Sequence, residues 1–268
     1  MLERKTVILN VEEEIMPDIE TKMPTQYEVD EKTLRRELAA AYRLAALAGW
    51  DDHIATHFSA RLSDGSYLLN PYGQLFEEIT ASSLVRIDMQ GQAVGNPGLV
   101  INTAGTNIHG GLLGGRADIG SVMHLHTRDG VAVSALEEGL LPLSQNALNI
   151  WHDVAYHEFE GIATAEDERE RLLADLGRRH LLILRNHGTL AVGRSIASAF
   201  YRLHALEWAC TAQIRTLSMG AKLRLPAQEV IDKQLRTMGS AWVDPFAEQR
   251  FWPAMLRKAA RECAGFDA

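Results

Sequence analysis

The chain has 268 residues, 46% of them apolar and 23% charged, with a formal net charge of −8. That composition suits an ordinary soluble globular protein with a substantial core, and the negative balance argues against a nucleic-acid surface. Two cysteines with no CxxC spacing argue against a disulfide framework or a thiolate zinc site. No apolar run reaches the roughly 18 residues that a membrane-spanning helix needs, and the N-terminus lacks the pattern of a secretory signal. A cytoplasmic protein without membrane or nucleic-acid partners is expected.

Residues 1–29 are acidic and weakly patterned and read as a flexible N-terminal arm. Behind Asp30, a plausible N-cap, the apolar positions Leu34, Leu38, Tyr42 and Ala45 recur at three- and four-residue steps, predicting an amphipathic helix over 31–50. Residues 57–62 and 66–70 read as strands of a hairpin turning on Asp64-Gly65. Pro71-Tyr72-Gly73 reads as a turn and 84–88 as a further strand. Thr106–Gly115 is a candidate helix despite four glycines, a poor composition by propensity. A strand over 120–126 precedes helices at 129–138 and 166–176, the latter closed by Gly177. Strands at 181–184 and 189–192 flank Asn186-His187-Gly188. Gly188 is expected to permit a sharp turn there. Ser195 caps a long helix over 196–218, and the tail carries helices near 227–239 and 245–262.

Chemistry concentrates on three histidines. His124 and His126 stand one residue apart on a strand, so both imidazoles leave the same face, about 6.6 Å apart along the backbone. His187, at a strand connection, would complete a three-histidine set with an open position, the ligand pattern of a catalytic divalent metal. Of the remaining histidines, His53, His57 and His109 could line a pocket. His152 and His157 lie in a stretch that reads as a surface strand at least as readily as a site, while His180 and His204 read as a loop and a helix-face residue. No phosphate-binding glycine loop or Gly-x-Ser-x-Gly element occurs in a suitable context.

In order, Ala117-Asp-Ile-Gly-Ser-Val-Met-His-Leu-His-Thr127, Leu181-Leu-Ile-Leu-Arg-Asn-His-Gly-Thr-Leu-Ala-Val-Gly193 and the following helix with Glu207 near its middle resemble the class II aldolase/adducin family, its adducin-like bacterial branch in particular. The resemblance implies a single α/β/α domain with a mixed, mainly antiparallel central sheet over 30–225, extended by helices over 226–268. It also implies a homotetramer acting on a small-molecule substrate. His124, His126 and His187 would hold a divalent metal, zinc by family habit, with Mn or Fe as the other options. Such a metal stabilises an enediolate, so that a C–C bond beside a carbonyl breaks or forms.

The chain departs from the sugar-phosphate aldolases of that family. Nineteen residues before His124, where they carry a catalytic glutamate, stands Gly105. In the pieces matching their phosphate cradle, small donors give way to His57 and Tyr72. The resemblance therefore implies a non-phosphorylated substrate contacted by His57, Tyr72 and Gly105, with His109 and Tyr156 as candidates for moving protons. A metal-dependent decarboxylase or non-heme iron oxygenase, and a non-catalytic adducin-like binding protein, are the alternative readings.

Overall fold

A computed structural model describes residues 29–96, 98–161, 167–237 and 240–268. The proposed arm lies almost wholly outside the described residues. Seven strands form one mixed sheet: β1 (His57–Arg61), β2 (Tyr67–Leu69), β3 (Val85–Ile87), β4 (Ser121–Leu125), β5 (Val154–His157), β6 (Leu181–Leu184) and β7 (Gly188–Gly193). Their spatial order is β3-β2-β1-β4-β7-β6-β5. Every pairing is antiparallel except β5 with β6, as expected from short strands without the long apolar runs of parallel sheets.

Helices cover both faces. On one lie α1 (Glu31–Leu47) and the long α6 (Ile196–Ser218), whose inward side chains Leu38, Tyr42, Phe200 and Leu203 meet Phe58, Met123 and Ile183 from the sheet. Asp30 does cap α1, accepting from the Thr33 N–H. Ser195 caps α6. On the other face α2 (Thr103–Gly115) and α5 (Glu168–Leu176) bring Ile108, Leu112 and Leu172 against Val122, Leu182 and Leu190. Alternation along each strand sorts the side chains cleanly between the two layers.

The glycines of α2 have a packing reason. A Cβ on Gly111 would stand 2.9 Å from the Arg169 side chain, and one on Gly115 would run into Leu173. Bare backbone lets α2 lie close on α5, which offsets its weak propensity. The helix expected at 129–138 is shorter: α3 (Arg128–Ser134) stops early, and turns carry the chain to Gly139 at φ +64°.

After α4 (Gln145–Ile150) the stretch expected on the surface becomes edge strand β5, with its inward side chains buried. In the tail, α7 (Gln228–Thr237) is followed by α8 (Ser240–Phe246), a π-turn over Ala247–Phe251, and α9 (Trp252–Glu262). Trp252, Ala259 and Phe266 from this segment are buried in the α1/α6 layer. No described helix is long and apolar enough to cross a membrane.

Candidate metal centre

The register of the sheet assembles the site. His57 pairs directly with His124 across β1 and β4, and Leu125 pairs with Thr189 across β4 and β7. The start of β1, the end of β4 and the β6–β7 connection therefore meet at one end of the sheet. Asn186, at φ +54°, makes the connection, a conformation that asparagine tolerates better than most residues. The turn thus belongs to Asn186, while Gly188 serves another need. A Cβ there would collide with the Leu125 carbonyl oxygen and stand 3.1 Å from His126 Cδ2.

At this end His124, His126 and His187 each offer a ring nitrogen, all within 4.8 Å of one another. His124 Nδ1 lies 3.0 Å from the Thr189 carbonyl oxygen, and His126 Nδ1 lies 3.2 Å from Asp52 Oδ2. Each acceptor draws the proton of its ring onto Nδ1, leaving Nε2 as a lone pair. Yet the two Nε2 atoms face one another at 2.8 Å. Lone pairs that converge so closely repel unless a cation lies between them. The donor set therefore fits a divalent metal, with neutral imidazoles as ligands.

Burial keeps this cluster neutral. The protein interior disfavours imidazolium, which lowers His57 to about 3 and His187 to about 4, with the neighbouring rings adding repulsion. His124, His126 and His109 are lowered for the same first reason.

In the metal-free chain this fixes a pH dependence. Unfolded, each of these rings takes up a proton near its ordinary value of 6.5; folded, it resists until lower pH. Unfolding therefore consumes protons, and stability falls as the pH drops from about 6.5 toward 4. Glu207 opposes the trend. Its burial raises it to about 7, a stabilisation present below about 4.5 that fades as pH rises through 7. Burial raises Glu37 and Glu168 in the same sense as Glu207 and lowers His152 and His204 in the same sense as the cluster, and the lowered histidines outweigh the raised carboxyls. Thermal unfolding of metal-free protein should shift down by at least ~5 °C between pH 6.5 and 5; a midpoint rising on acidification would contradict this assignment.

His57 and His109 form a second buried pair behind the triad. The His57 ring lies 5.1 Å, centre to centre, from that of His124. Its Nδ1 is 2.8 Å from His109 Nε2, and His109 Nδ1 is hydrogen-bonded to the Ser59 hydroxyl. His109 thus reaches the centre through His57. Gly105 explains where His57 found room: a Cβ there would lie 3.0 Å from His57 Cδ2. The histidine ring from β1 occupies space that a side chain on α2 would need.

Tyr72 stands exposed in the turn after β2, at the same end of the sheet. Tyr156 lies elsewhere. It packs in the α1/α6 layer, opposite the face that carries His124, and its hydroxyl accepts from the Leu140 N–H. Across the sheet from the rings, the buried Glu207 carboxylate accepts from the Thr127 and Thr189 hydroxyls, tying together the segments that follow β4 and open β7.

Sequence reasoning missed Asp52, Ser59 and the Thr189 carbonyl. Only the Asp51-Asp52 pair carried a signal, an acidic step before the histidine-rich strand. The other two partners depend on register, which no local pattern revealed.

The profile described as Class II Aldolase and Adducin N-terminal domain matches residues 36–214. The chain belongs to this family. A class 2 aldolase-type protein of Caulobacter vibrioides is 47% identical over 237 residues, 87% of this chain and 91% of that one. A crystal structure of an aldolase II superfamily protein from Pseudomonas syringae superposes with a TM-score of 0.83 at 48% identity, covering 89% and 96% of the two chains. Mouse alpha-adducin is 44% identical over 197 residues, which span 72% of this chain but 27% of adducin.

Proposed function

We propose that this protein is a zinc-dependent lyase, cleaving or forming a C–C bond beside a carbonyl in a small, non-phosphorylated substrate. The observation that carries the reading is the pair of Nε2 lone pairs on His124 and His126, fixed by Thr189 and Asp52 and joined by His187. A divalent cation bound there supplies Lewis-acid stabilisation of the oxyanion that develops on a carbonyl oxygen.

The chain's own residues supply the rest. His57 Nε2 is the group that exchanges a proton with the substrate, in place of the carboxylate that Gly105 cannot provide. Ser59, His109 and His57 form a chain of hydrogen bonds that can run in either direction. Run one way, it leaves His57 Nε2 carrying a proton; run the other way, it leaves a lone pair. His109 is thus a positioning residue, and Tyr156, on the opposite face, has no part in this scheme. Family habit supports a cytoplasmic homotetramer.

The test is turnover. Zinc-loaded and metal-free protein are offered hydroxy-ketoacids and ketoses with and without phosphate, while aldehyde, carbon dioxide and oxygen are followed together. Zinc-dependent release of aldehyde from a non-phosphorylated substrate is expected. Carbon dioxide without aldehyde, or oxygen uptake with iron, would replace the lyase by a decarboxylase or oxygenase on the same ligands. Stoichiometric metal without turnover would favour a non-catalytic binding role, the reading that the likeness to alpha-adducin supports.

A further inference from the structure

A cleft opens beside His187, and its wall includes Ile108, His157, Phe159, Glu168 and Leu184. His157, the last residue of β5, is 4% exposed and lies on the same face of the sheet as His124. Its Nδ1 is 2.6 Å from Asp175 Oδ2 on α5, so that nitrogen carries a proton. Its Nε2 is buried without a hydrogen-bond partner, an arrangement that costs stability unless something satisfies it. Across from Nε2, at 3.9 Å, is Oε1 of the buried Glu168.

That distance is too long for a hydrogen bond and suits one shared oxygen. An atom about 2.8 Å from each would see the two at about 90°, somewhat tighter than the tetrahedral spread of a hydroxyl's donor and acceptor directions. We propose that His157 and Glu168, held by Asp175, form a hydroxyl-binding subsite for the distal part of a substrate whose proximal oxygens lie at the metal centre. The proposal rests on the metal-centre reading above.

The chemistry of the pair selects its ligand. With one proton held between Nε2 and Glu168, whose carboxyl is raised by burial, one side of the pair donates and the other accepts. A hydroxyl does both at once; a phosphate dianion or a ketone only accepts. The cleft also discriminates by charge. Glu158 and Glu168 stand on its wall. Glu160, on the same wall, is paired with Arg171. The guanidinium of Arg185 is committed to the Leu136 carbonyl and the Tyr156 ring. An anionic tail would meet carboxylates with little compensation. A neutral tail that places one hydroxyl between His157 and Glu168 suits this wall, with Phe159, Ile108 and Leu184 beside its carbons.

Calorimetry on the zinc-loaded full chain tests this with α-hydroxy acids, whose adjacent oxygens can chelate the metal. The probes are glycolate, 2-hydroxybutyrate and threonate. Threonate is expected to bind about tenfold more tightly than 2-hydroxybutyrate. In His157→Phe and Glu168→Leu that preference should collapse to within about twofold, with zinc content and glycolate binding unchanged. The isosteric Glu168→Gln, which retains an acceptor, should keep part of it and guards against loss of folding in the harsher variants. Equal binding of the two longer acids by the unaltered protein, or a preference that survives both variants, would overturn the subsite.

A second readout needs no metal. The ¹⁵N resonance of His157 Nε2 should move when erythritol is titrated into metal-free protein, and a resonance that stays still would also overturn the subsite. Failure to bind zinc or glycolate, with that resonance still moving, would sink the metal reading and leave the subsite standing.

Discussion

Replacing His124 with alanine is expected to empty the proposed metal centre. His124 is the central ring of the cluster: it faces His126 and His187, and its Nδ1 is fixed on the backbone carbonyl of the next strand. Removing it leaves two partly buried imidazoles with no third donor. Loss of an outer hydrogen-bond partner alone typically costs about 10–100-fold in metal affinity, so loss of the ligand should cost on the order of 10³-fold or more. Asp52→Ala provides the graded comparison, weakening zinc by about 10–100-fold through release of His126. Elemental analysis after dialysis, with competition against a chelating dye, gives both numbers. One zinc retained per chain in the His124 variant would end the triad assignment.

Gly188→Ala should be the most damaging single methyl group at this end of the sheet. The position lies beside His187 and opens β7, whose first pairs with β4 bring the triad together. An added Cβ meets the Leu125 carbonyl oxygen, which is backbone and cannot swing aside, and crowds His126 Cδ2 at 3.1 Å. Relief requires β4 and β7 to part where His124 and His126 are held. A loss of about 2–4 kcal/mol in stability is expected, a drop of about 5–15 °C in the unfolding midpoint for a chain of this size. Zinc affinity should fall with it. Gly65→Ala is the control, because Gly65 has nothing within 4 Å of its Cβ position; only its φ of +89° is strained. It should weaken the hairpin by roughly 1 kcal/mol and leave zinc binding intact. Equal loss of zinc in both variants would show that general destabilisation is responsible.

The parts of this architecture that the sequence made legible are those that repeat locally. The three- and four-residue steps around Leu38 and Tyr42, the Asp64-Gly65 turn and the Ser195 cap all rest on neighbours within one turn or one hairpin. The His-x-His pair belongs with them, since a strand presents alternate residues on one face whatever it pairs with. The partners that give the histidines their character were hidden. Thr189 orients His124, and His57 stands opposite His124, only because β4 pairs in one particular register with its neighbours. His157 looked like a surface residue because β5 is short and polar at both ends. Its burial comes from α5, which packs over it from further along the chain. Gly105 could be recognised as a missing carboxylate, whereas the ring that fills its space could not.

The site's construction also says when it can exist. Its pairings join residues far apart along the chain, His57 with His124 and Leu125 with Thr189, and contacts of long sequence separation form late in folding. Before β1, β4 and β7 have come together, only His124 and His126 are near each other, and two ligands make a poor site. A small zinc domain whose ligands cluster locally can use the ion to begin folding. Here the order is reversed: the polypeptide must finish its topology before the proposed centre is assembled, so an ion held there would mark a completed fold, and an unfinished chain in the cell would offer little to sequester one.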